Sequence, residues 1–211
     1  MCKLIFKNRE HAGLLLLETM KNIVHDNMLF ATIPNGGIAV AKSITNIFNV
    51  PLHVVLSKKI PLQGIPYVGL GSVSEHYEMF NEERISDLKL SPQMIEEFKK
   101  IPLESINKKR KSFSRYIPNP CVYTDKTVVI IDDGIASGYT MMSAIKEIKQ
   151  SEPRRLIVAT PVIFSHTKKV LEDTGASIHY YYMSDNIRFV VDEFYETFEE
   201  ITDYQALSLL D

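Results

Sequence analysis

Two adjacent carboxylates, Asp132 and Asp133, directly follow a run of four β-branched apolar residues at 128–131. A run of this kind predicts a strand that is buried on both faces of a parallel sheet. Ligands of such sheets lie outside the carboxyl ends of the strands. Carboxylates at that place can bind vicinal hydroxyls, or a divalent cation held through water.

A short loop of small residues follows the acidic pair, and helix-compatible residues 141–149 come next. Gly134 and Gly138 allow the backbone to approach a ligand closely, and Ser137 and Thr140 add hydroxyl donors. The start of the helix adds free N–H groups and a favourable dipole for an anion. This chemistry favours a phosphate monoester beside a diol, as in a phosphorylated ribose that carries pyrophosphate.

Residues 128–140 together resemble the 5-phosphoribosyl-1-pyrophosphate (PRPP) motif of type I phosphoribosyltransferases, with Gly134 in place of a bulky aliphatic residue. The resemblance implies that Asp132 and Asp133 hold the ribose hydroxyls, contribute to catalysis and bind Mg²⁺, mainly through water. It further implies that the whole PRPP-binding stretch is Asp132, Asp133, Gly134, Ile135, Ala136, Ser137, Gly138, Tyr139 and Thr140.

A second strand, glycine loop and helix occupy residues 28–48, with the loop Pro-Asn-Gly-Gly at 34–37. The loop is similar to one in a little-characterised branch of predicted phosphoribosyltransferases, which usually reads Pro-Arg-Gly-Gly. The resemblance implies a pyrophosphate site formed by Asn35, Gly36, Gly37 and a catalytic Lys59. Asn35 brings no charge to that site, and the neighbouring Lys58 is expected to be solvated.

Strands and helices alternate from residue 28 to 183, which predicts a parallel, right-handed α/β sheet between two layers of helices. We expect one domain over residues 1–211 with its core at 28–183, and a helix at 8–24 that covers one face. Residues 155–160 are expected to form a strand that ends at Pro161, with a helix over 162–173.

Residues 60–84 contain scattered Gly and Pro and little periodicity, so we expect an irregular loop, and the resemblance implies a lid over the reacting centre. Residues 185–211 are aromatic and acidic, and the resemblance implies a small hood there. The polar candidates in the lid are Glu75, His76, Glu82, Glu83 and Arg84.

The chain has 211 residues, 45% of them hydrophobic and 24% charged, with a net charge of −2 and two cysteines. This balance predicts a soluble, cytoplasmic protein that binds neither membrane nor nucleic acid. The basic run at 108–115 is interpreted as a solvated helix face, although one or two of its cations could lie near ligand phosphates. The resemblance also implies a homodimer.

The function expected from the resemblance is transfer of the 5-phosphoribosyl group of PRPP to a nitrogen acceptor such as a nucleobase, with release of pyrophosphate. Ala136 stands where the hypoxanthine–guanine branch has an Asp, and alanine cannot transfer a proton. Two alternatives stay open: a regulatory protein that binds PRPP or a nucleotide without turnover, and a weaker one, an RNA-binding regulator that uses residues 108–115.

Overall fold

The computed structural model describes residues 5–23, 28–62 and 64–211. The strands are β1 (Met28–Thr32), β2 (Leu52–Val54), β3 (Ser57–Leu62), β4 (Ile65–Ser74), β5 (Glu78–Phe80), β6 (Thr127–Ile131), β7 (Arg155–Phe164) and β8 (Ser177–Ser184). The helices are α1 (Arg9–Met20), α2 (Gly36–Phe48), α3 (Glu82–Asp87), α4 (Pro92–Ser112), α5 (Tyr139–Lys149), α6 (Ser165–Glu172) and α7 (Asp203–Leu210). Short 3₁₀ helices cover Ser114–Tyr116, Pro120–Tyr123 and Val191–Phe194.

The central sheet has five parallel strands in the order β2-β1-β6-β7-β8. The predicted parallel α/β sheet is therefore confirmed. β1 and β6 are direct neighbours, paired from Met28 opposite Thr127 to Thr32 opposite Ile131. Because both strands end at the same edge, the glycine loop after β1 and the acidic pair after β6 must lie side by side.

Helices cover both faces of this sheet. The side chains of β6 show this, since they alternate between two hydrophobic clusters. Val129 and Ile131 pack in one cluster with residues of α1 and α2, and Val128 and Ile130 pack in the other with residues of α5. These four β6 side chains are completely buried. The helix predicted at 8–24 is α1, which ends earlier, and Val24 lies outside the described residues.

The prediction of an irregular loop at 60–84 is wrong in its secondary structure. β3, β4 and β5 form a separate antiparallel sheet, and α3 begins within the same segment. Irregular pairing hides the strand pattern from the sequence, because the β3–β4 register shifts on both sides of Pro61. Gly71 is needed for close strand approach, since a Cβ there would lie 1.9 Å from the carbonyl oxygen of Met79.

The strand β7 does not end at Pro161 as predicted but continues to Phe164. β6 accompanies β7 only as far as Ala159, and β8 remains its neighbour up to Phe164 opposite Ser184. A proline without an N–H is tolerated where one side of the strand has no ladder partner. The helix predicted to start at residue 162 starts at Ser165 instead, because Val162 belongs to the buried strand.

The C-terminal segment returns to the site end of the molecule. The backbone N–H of Phe6 donates to the carbonyl of Phe194, and α7 packs against α2. Thr202 caps α7 with a complete capping box that includes Gln205. None of the helices in the described ranges is both long and apolar enough to cross a bilayer.

Candidate functional site

The two glycine-containing loops meet at the acidic pair. A Cβ on Gly36 would lie 2.0 Å from Asp133 Oδ2, and a Cβ on Gly37 would lie 3.0 Å from Asp132 Oδ1 and 2.6 Å from Thr32 Oγ1. No side chain larger than hydrogen fits at either position without displacing a carboxylate or Thr32. The paired glycines therefore let the N-terminus of α2 pack directly onto the carboxylates.

The loop from Ala136 to Thr140 presents backbone donors that have no protein partner. Within the described part of the chain, the N–H groups of these five residues donate no hydrogen bond, whereas the N–H of Ile135 bonds to the Val162 carbonyl at 2.9 Å. Ala136 and Ser137 are exposed, and α5 begins at Tyr139. Free N–H groups at the start of a helix, beside an accessible loop, are an arrangement that can bind an anion.

Neighbouring elements fix this loop from three sides. Thr167 of α6 donates its hydroxyl to the carbonyl of Ala136. Ser57 Oγ donates to the Thr140 carbonyl at 2.9 Å, and Ser72 Oγ donates to the Tyr139 carbonyl at 2.7 Å. These bonds use carbonyl groups and leave the N–H groups free for a ligand.

The two carboxylates of the acidic pair are largely desolvated and repel each other. Burial, and next the negative charge of Asp133, raise the pKa of Asp132 well above the ordinary carboxyl value. Burial also raises the pKa of Asp133, against the opposing effect of Arg9. Because a desolvated carboxylate without an opposite charge is costly, Asp132 is the member of the pair that gains most from a bound cation or from hydroxyl donors.

Arg9 at the start of α1 is a site residue that the sequence analysis missed. Its Nε donates to Asp133 Oδ2 at 2.7 Å, its Nη1 donates to the Glu199 carbonyl at 2.7 Å, and its guanidinium lies 3.7 Å above the Phe198 ring. The side chains of Arg9 and Asp133 are 11% and 16% exposed, so this ion pair is largely withdrawn from water. Tyr195 completes the contact by donating its hydroxyl to the Asp133 carbonyl at 2.5 Å.

Asn35 does not present its side chain as a free donor to the site. Its Nδ2 donates to the Ile201 carbonyl at 2.7 Å and to Asp203 Oδ1 at 3.0 Å, and its Oδ1 accepts from Lys109 Nζ at 2.5 Å. Lys109 also forms an ion pair with Asp203. Asn35 therefore holds the Lys109 ammonium of α4 beside the glycine loop. In the similar branch, an Arg within the loop itself carries the positive charge.

A cavity of ≈ 300 Å³ adjoins this loop, and its charged lining consists of three cationic residues, Arg9, Lys58 and Lys109, and one acidic residue, Glu200. Lys58, which was expected to be merely solvated, lines this cavity on the α4 side of β3. Lys59 lies on the other face of β3, where its side chain packs against Gly69. Burial, and then the charge of Arg84, lower the pKa of Lys59. Its role in pyrophosphate binding stays a prediction.

The polar residues of the 60–84 segment mainly hold the antiparallel sheet in place. Glu75 pairs with Arg110, and His76 contacts Glu147. Arg84 donates to the Gly69 carbonyl at 2.9 Å. Glu82 and Glu83 lie in the first turn of α3.

Gly134, the departure from the PRPP motif, is explained by the C-terminal segment. A Cβ at this position would lie 2.3 Å from Val191 Cγ1 and 3.1 Å from Val162 Cγ1. The aliphatic side chain that the motif usually carries is thus replaced in space by Val191. This contact ties the segment expected to form a hood directly to the acidic loop.

We expect Gly134→Ala to lower the free energy of unfolding by about 1–3 kcal/mol, because the new methyl group overpacks against Val191. Combining it with Val191→Ala is expected to recover most of that loss. Chemical denaturation of both variants, with Val191→Ala alone as the reference, measures the coupling. A loss that Val191→Ala leaves untouched would contradict the packing account.

Comparison with known proteins shows the family. The phosphoribosyl transferase domain family matches residues 78–199, and the chain belongs to this family. Mycobacterium tuberculosis strain H37Rv has a relative named "Putative phosphoribosyl transferase Rv0571c", which is 23% identical over 162 residues. That match covers 75% of this chain but 36% of the relative, so the chain spans about a third of its length. A uracil phosphoribosyltransferase of Sulfolobus acidocaldarius is 39% identical over 59 residues, covering 28% of this chain and 27% of that enzyme.

Solved structures show the same architecture. The crystal structure of TT1426 from Thermus thermophilus superposes with a TM-score of 0.74 and 26% identity, covering 98% of this chain and 97% of that one. The AQ2163 protein from Aquifex aeolicus has a TM-score of 0.51 at 13% identity and covers 88% of this chain and 82% of its own, a likeness of fold alone. The predicted membership of the type I phosphoribosyltransferase family and its fold are thus confirmed.

Proposed function

We propose that this protein transfers the 5-phosphoribosyl group of PRPP to a nitrogen acceptor, a nucleobase or related heterocycle, and releases pyrophosphate. One observation carries the proposal: two helix N-termini, those of α2 and α5, flank the carboxylates of Asp132 and Asp133. PRPP carries phosphate groups on both sides of a ribose diol. The two helix N-termini can donate to the phosphate groups, and the carboxylates between them can accept from the diol.

Each part of PRPP has a proposed place. The 5′-phosphate binds the free N–H groups of residues 136–140, with the Ser137 and Thr140 hydroxyls beside them. The ribose hydroxyls lie against Asp132. The pyrophosphate lies at Gly36 and Gly37, next to the cationic cavity described above.

The donor set of the acidic pair fits Mg²⁺. Within the described ranges no cluster of three or more His, Cys, Asp or Glu side chains could hold a metal on its own. Mg²⁺ typically takes one or two carboxylates and completes its shell with water and substrate phosphates, and Asp132 and Asp133 are oxygen ligands of that kind. When bound, Mg²⁺ would neutralise charge on the pyrophosphate.

In the proposed reaction a lone pair of the acceptor nitrogen forms the bond to C1 of the ribose, while the bond from C1 to the pyrophosphate oxygen breaks. The electron pair of the broken bond leaves with the pyrophosphate. Ionised Asp132 eases the positive charge that develops on the sugar, and the cationic cavity stabilises the leaving group. Ala136 provides no proton transfer, so the proton of the acceptor N–H passes to solvent water or to the leaving pyrophosphate.

PRPP affinity is expected to depend on pH through Asp132. Its pKa is raised, so the carboxylate becomes protonated at a higher pH than an ordinary carboxyl group. Because the ionised form binds the ligand, affinity should fall as the pH drops through this raised pKa, by up to about tenfold per pH unit, and level off above it. Titration calorimetry over a pH series measures the PRPP affinity, and Asp132→Asn should remove its fall at low pH. A pH-independent affinity in the native protein would contradict the assignment.

Lys109→Met is expected to weaken pyrophosphate and PRPP binding about tenfold, because it removes the charge that Asn35 holds beside the glycine loop. Lys108→Met is the matched control, since Lys108 is exposed on the same helix. Binding of inorganic pyrophosphate, measured by calorimetry, distinguishes them. Equal affinities in the two variants would exclude Lys109 from the site.

Incubation of the protein with PRPP, Mg²⁺ and a panel of free nucleobases tests the function. Pyrophosphate release that requires one acceptor supports the transferase, and the product identifies the base. PRPP binding without pyrophosphate release, whichever acceptor is added, would instead support the regulatory alternative. The uncharged Asn35 in place of the usual loop Arg is compatible with that alternative.

A further inference from the structure

The strand β8 forms one edge of the central sheet. Among the described residues it pairs only with β7, in one register from Ile157 opposite Ser177 to Phe164 opposite Ser184. Within the same part of the chain, residues 177–184 form no backbone–backbone hydrogen bond other than those with β7. The outer side of β8 therefore presents a row of backbone donors and acceptors to which another strand can bond.

β8 lacks the features that usually protect an edge strand, which are short length, charged side chains, proline or a bulge. The opposite edge of the same sheet is protected, because β2 has only three residues. β8 has eight residues, with no Asp, Glu, Lys, Arg or Pro among them. Three consecutive large side chains on it are exposed, Tyr181 and Tyr182 at 40% each and Met183 at 37%. An edge of this kind pairs readily with another chain.

Charges of opposite sign lie at the two ends of β8. Arg155 Nη2 donates to Ser177 Oγ at 3.4 Å at the start of the strand, and Asp185 directly follows its end. Arg155 and Asp185 are both exposed. Burial, and next the charge of Arg155, lower the pKa of His179, so the strand between the two charges is neutral near pH 7. A cation at one end and an anion at the other are complementary to a second copy that runs antiparallel.

Two-fold symmetry limits the register in which two copies of β8 can pair. Directly opposite residues of an antiparallel pair have their side chains on the same face of the sheet, so the residue at the axis lies opposite its own copy. With Tyr181 at the axis, Tyr180 lies opposite the second copy's Tyr182, which is a favourable cross-strand pair. Ser177, which holds Arg155, then lies opposite the second copy's Asp185. An axis at either neighbouring residue would move Asp185 two residues away from Ser177.

We propose that this protein forms a homodimer in which the β8 strands of two copies pair antiparallel around Tyr181, with Arg155 of each copy paired to Asp185 of the other. The two five-stranded sheets then join into one continuous sheet. The exposed side chains of residues 181–183 pack against the second copy. The interface does not depend on the proposed transferase activity, because none of the residues proposed to bind PRPP belongs to it.

Sedimentation velocity over a concentration series tests the dimer and its register. We expect the native protein to form a dimer that dissociates on dilution. Asp185→Arg and Arg155→Asp should each raise the dimer dissociation constant at least about tenfold, because like charges then meet at both ends of the pair. The double variant, which exchanges the two charges, should return the constant to within about threefold of the native value. Asp87→Arg is the matched control, since it makes the same change of charge at an exposed position of α3, outside the central sheet.

Tyr181→Lys should abolish the dimer, because it places two ammonium groups at the axis. Tyr181 also packs against Phe6, with ring centroids 5.8 Å apart, so thermal unfolding of this variant is measured as well. The charge variants change exposed residues only and keep the test independent of folding.

Three results would overturn the proposal. The first is a native protein that stays monomeric up to about 100 μM. The second is a dimer that Asp185→Arg, Arg155→Asp and Tyr181→Lys all leave intact, which would place the interface elsewhere. The third is a double charge variant whose dimer is as weak as that of the single variants, which would exclude the pairing of Arg155 with Asp185.

Discussion

Replacing Asp132 with Asn is expected to lower kcat/KM for PRPP at least about 100-fold while it raises the stability of the folded protein. The two effects have opposite signs for one reason. The carboxylate lies in a desolvated place beside Asp133, which raises its pKa. At pH values between the pKa of Asp132 in the unfolded protein and its higher pKa in the folded protein, the folded state binds more protons. The free energy of unfolding therefore falls as the pH rises through this range. Asn at position 132 removes this loss of stability at neutral pH. It also removes the negative charge that we propose to face the ribose.

Pyrophosphate release and thermal unfolding near neutral pH measure the two effects on one preparation. Asp125→Asn is the control, because Asp125 is an exposed carboxylate away from the site. Turnover by Asp132→Asn within about tenfold of the native value would contradict the catalytic role. A lower unfolding temperature would contradict the electrostatic account.

Arg9→Met is expected to lower the free energy of unfolding by about 3 kcal/mol, because it leaves the Asp133 carboxylate without its partner in a largely buried place. It also removes the stacking on Phe198 and the bond to the Glu199 carbonyl that hold the C-terminal segment. Arg9→Lys should restore little of this stability. An ammonium group cannot stack flat on Phe198 and at the same time donate to Asp133 Oδ2 and to the Glu199 carbonyl oxygen in the same geometry.

A double-mutant cycle with Asp133→Asn isolates the ion pair. We expect Arg9→Met with Asp133→Asn to be more stable than the sum of the two single changes predicts, by about 1–3 kcal/mol. Arg115→Met is the control, because Arg115 pairs with Asp211 at the surface and is 81% exposed, so its loss should cost less than about 1 kcal/mol. Additive single changes would show that Arg9 and Asp133 do not stabilise each other.

The parallel sheet and the meeting of its two loops were predictable, because β-branched runs and glycine loops are local signals. Asp132 and Gly37 come together because their strands are neighbours. Arg9 could not be found in this way. It contacts Asp133 across 124 residues, and the pattern of α1 indicates only that the helix covers a face.

Lys109 and Asn35 illustrate a second limit. The sequence shows an uncharged residue in the loop and a basic run far along the chain, and only the fold shows that one holds the other. The antiparallel sheet at 57–80 was missed for a different reason. Its register shifts and its glycines interrupt the alternation by which a strand is recognised, although Gly71 is what allows the strands to approach.

The two glycine loops and the acidic pair are proposed to bind PRPP for transfer to a nitrogen acceptor. The most direct measurement is pyrophosphate release from PRPP with Mg²⁺ and each free nucleobase in turn. We expect release that depends on one acceptor and is lost in Asp132→Asn. The proposal would be contradicted if no nucleobase supported release by a folded protein, or if Asp132→Asn released pyrophosphate at the native rate.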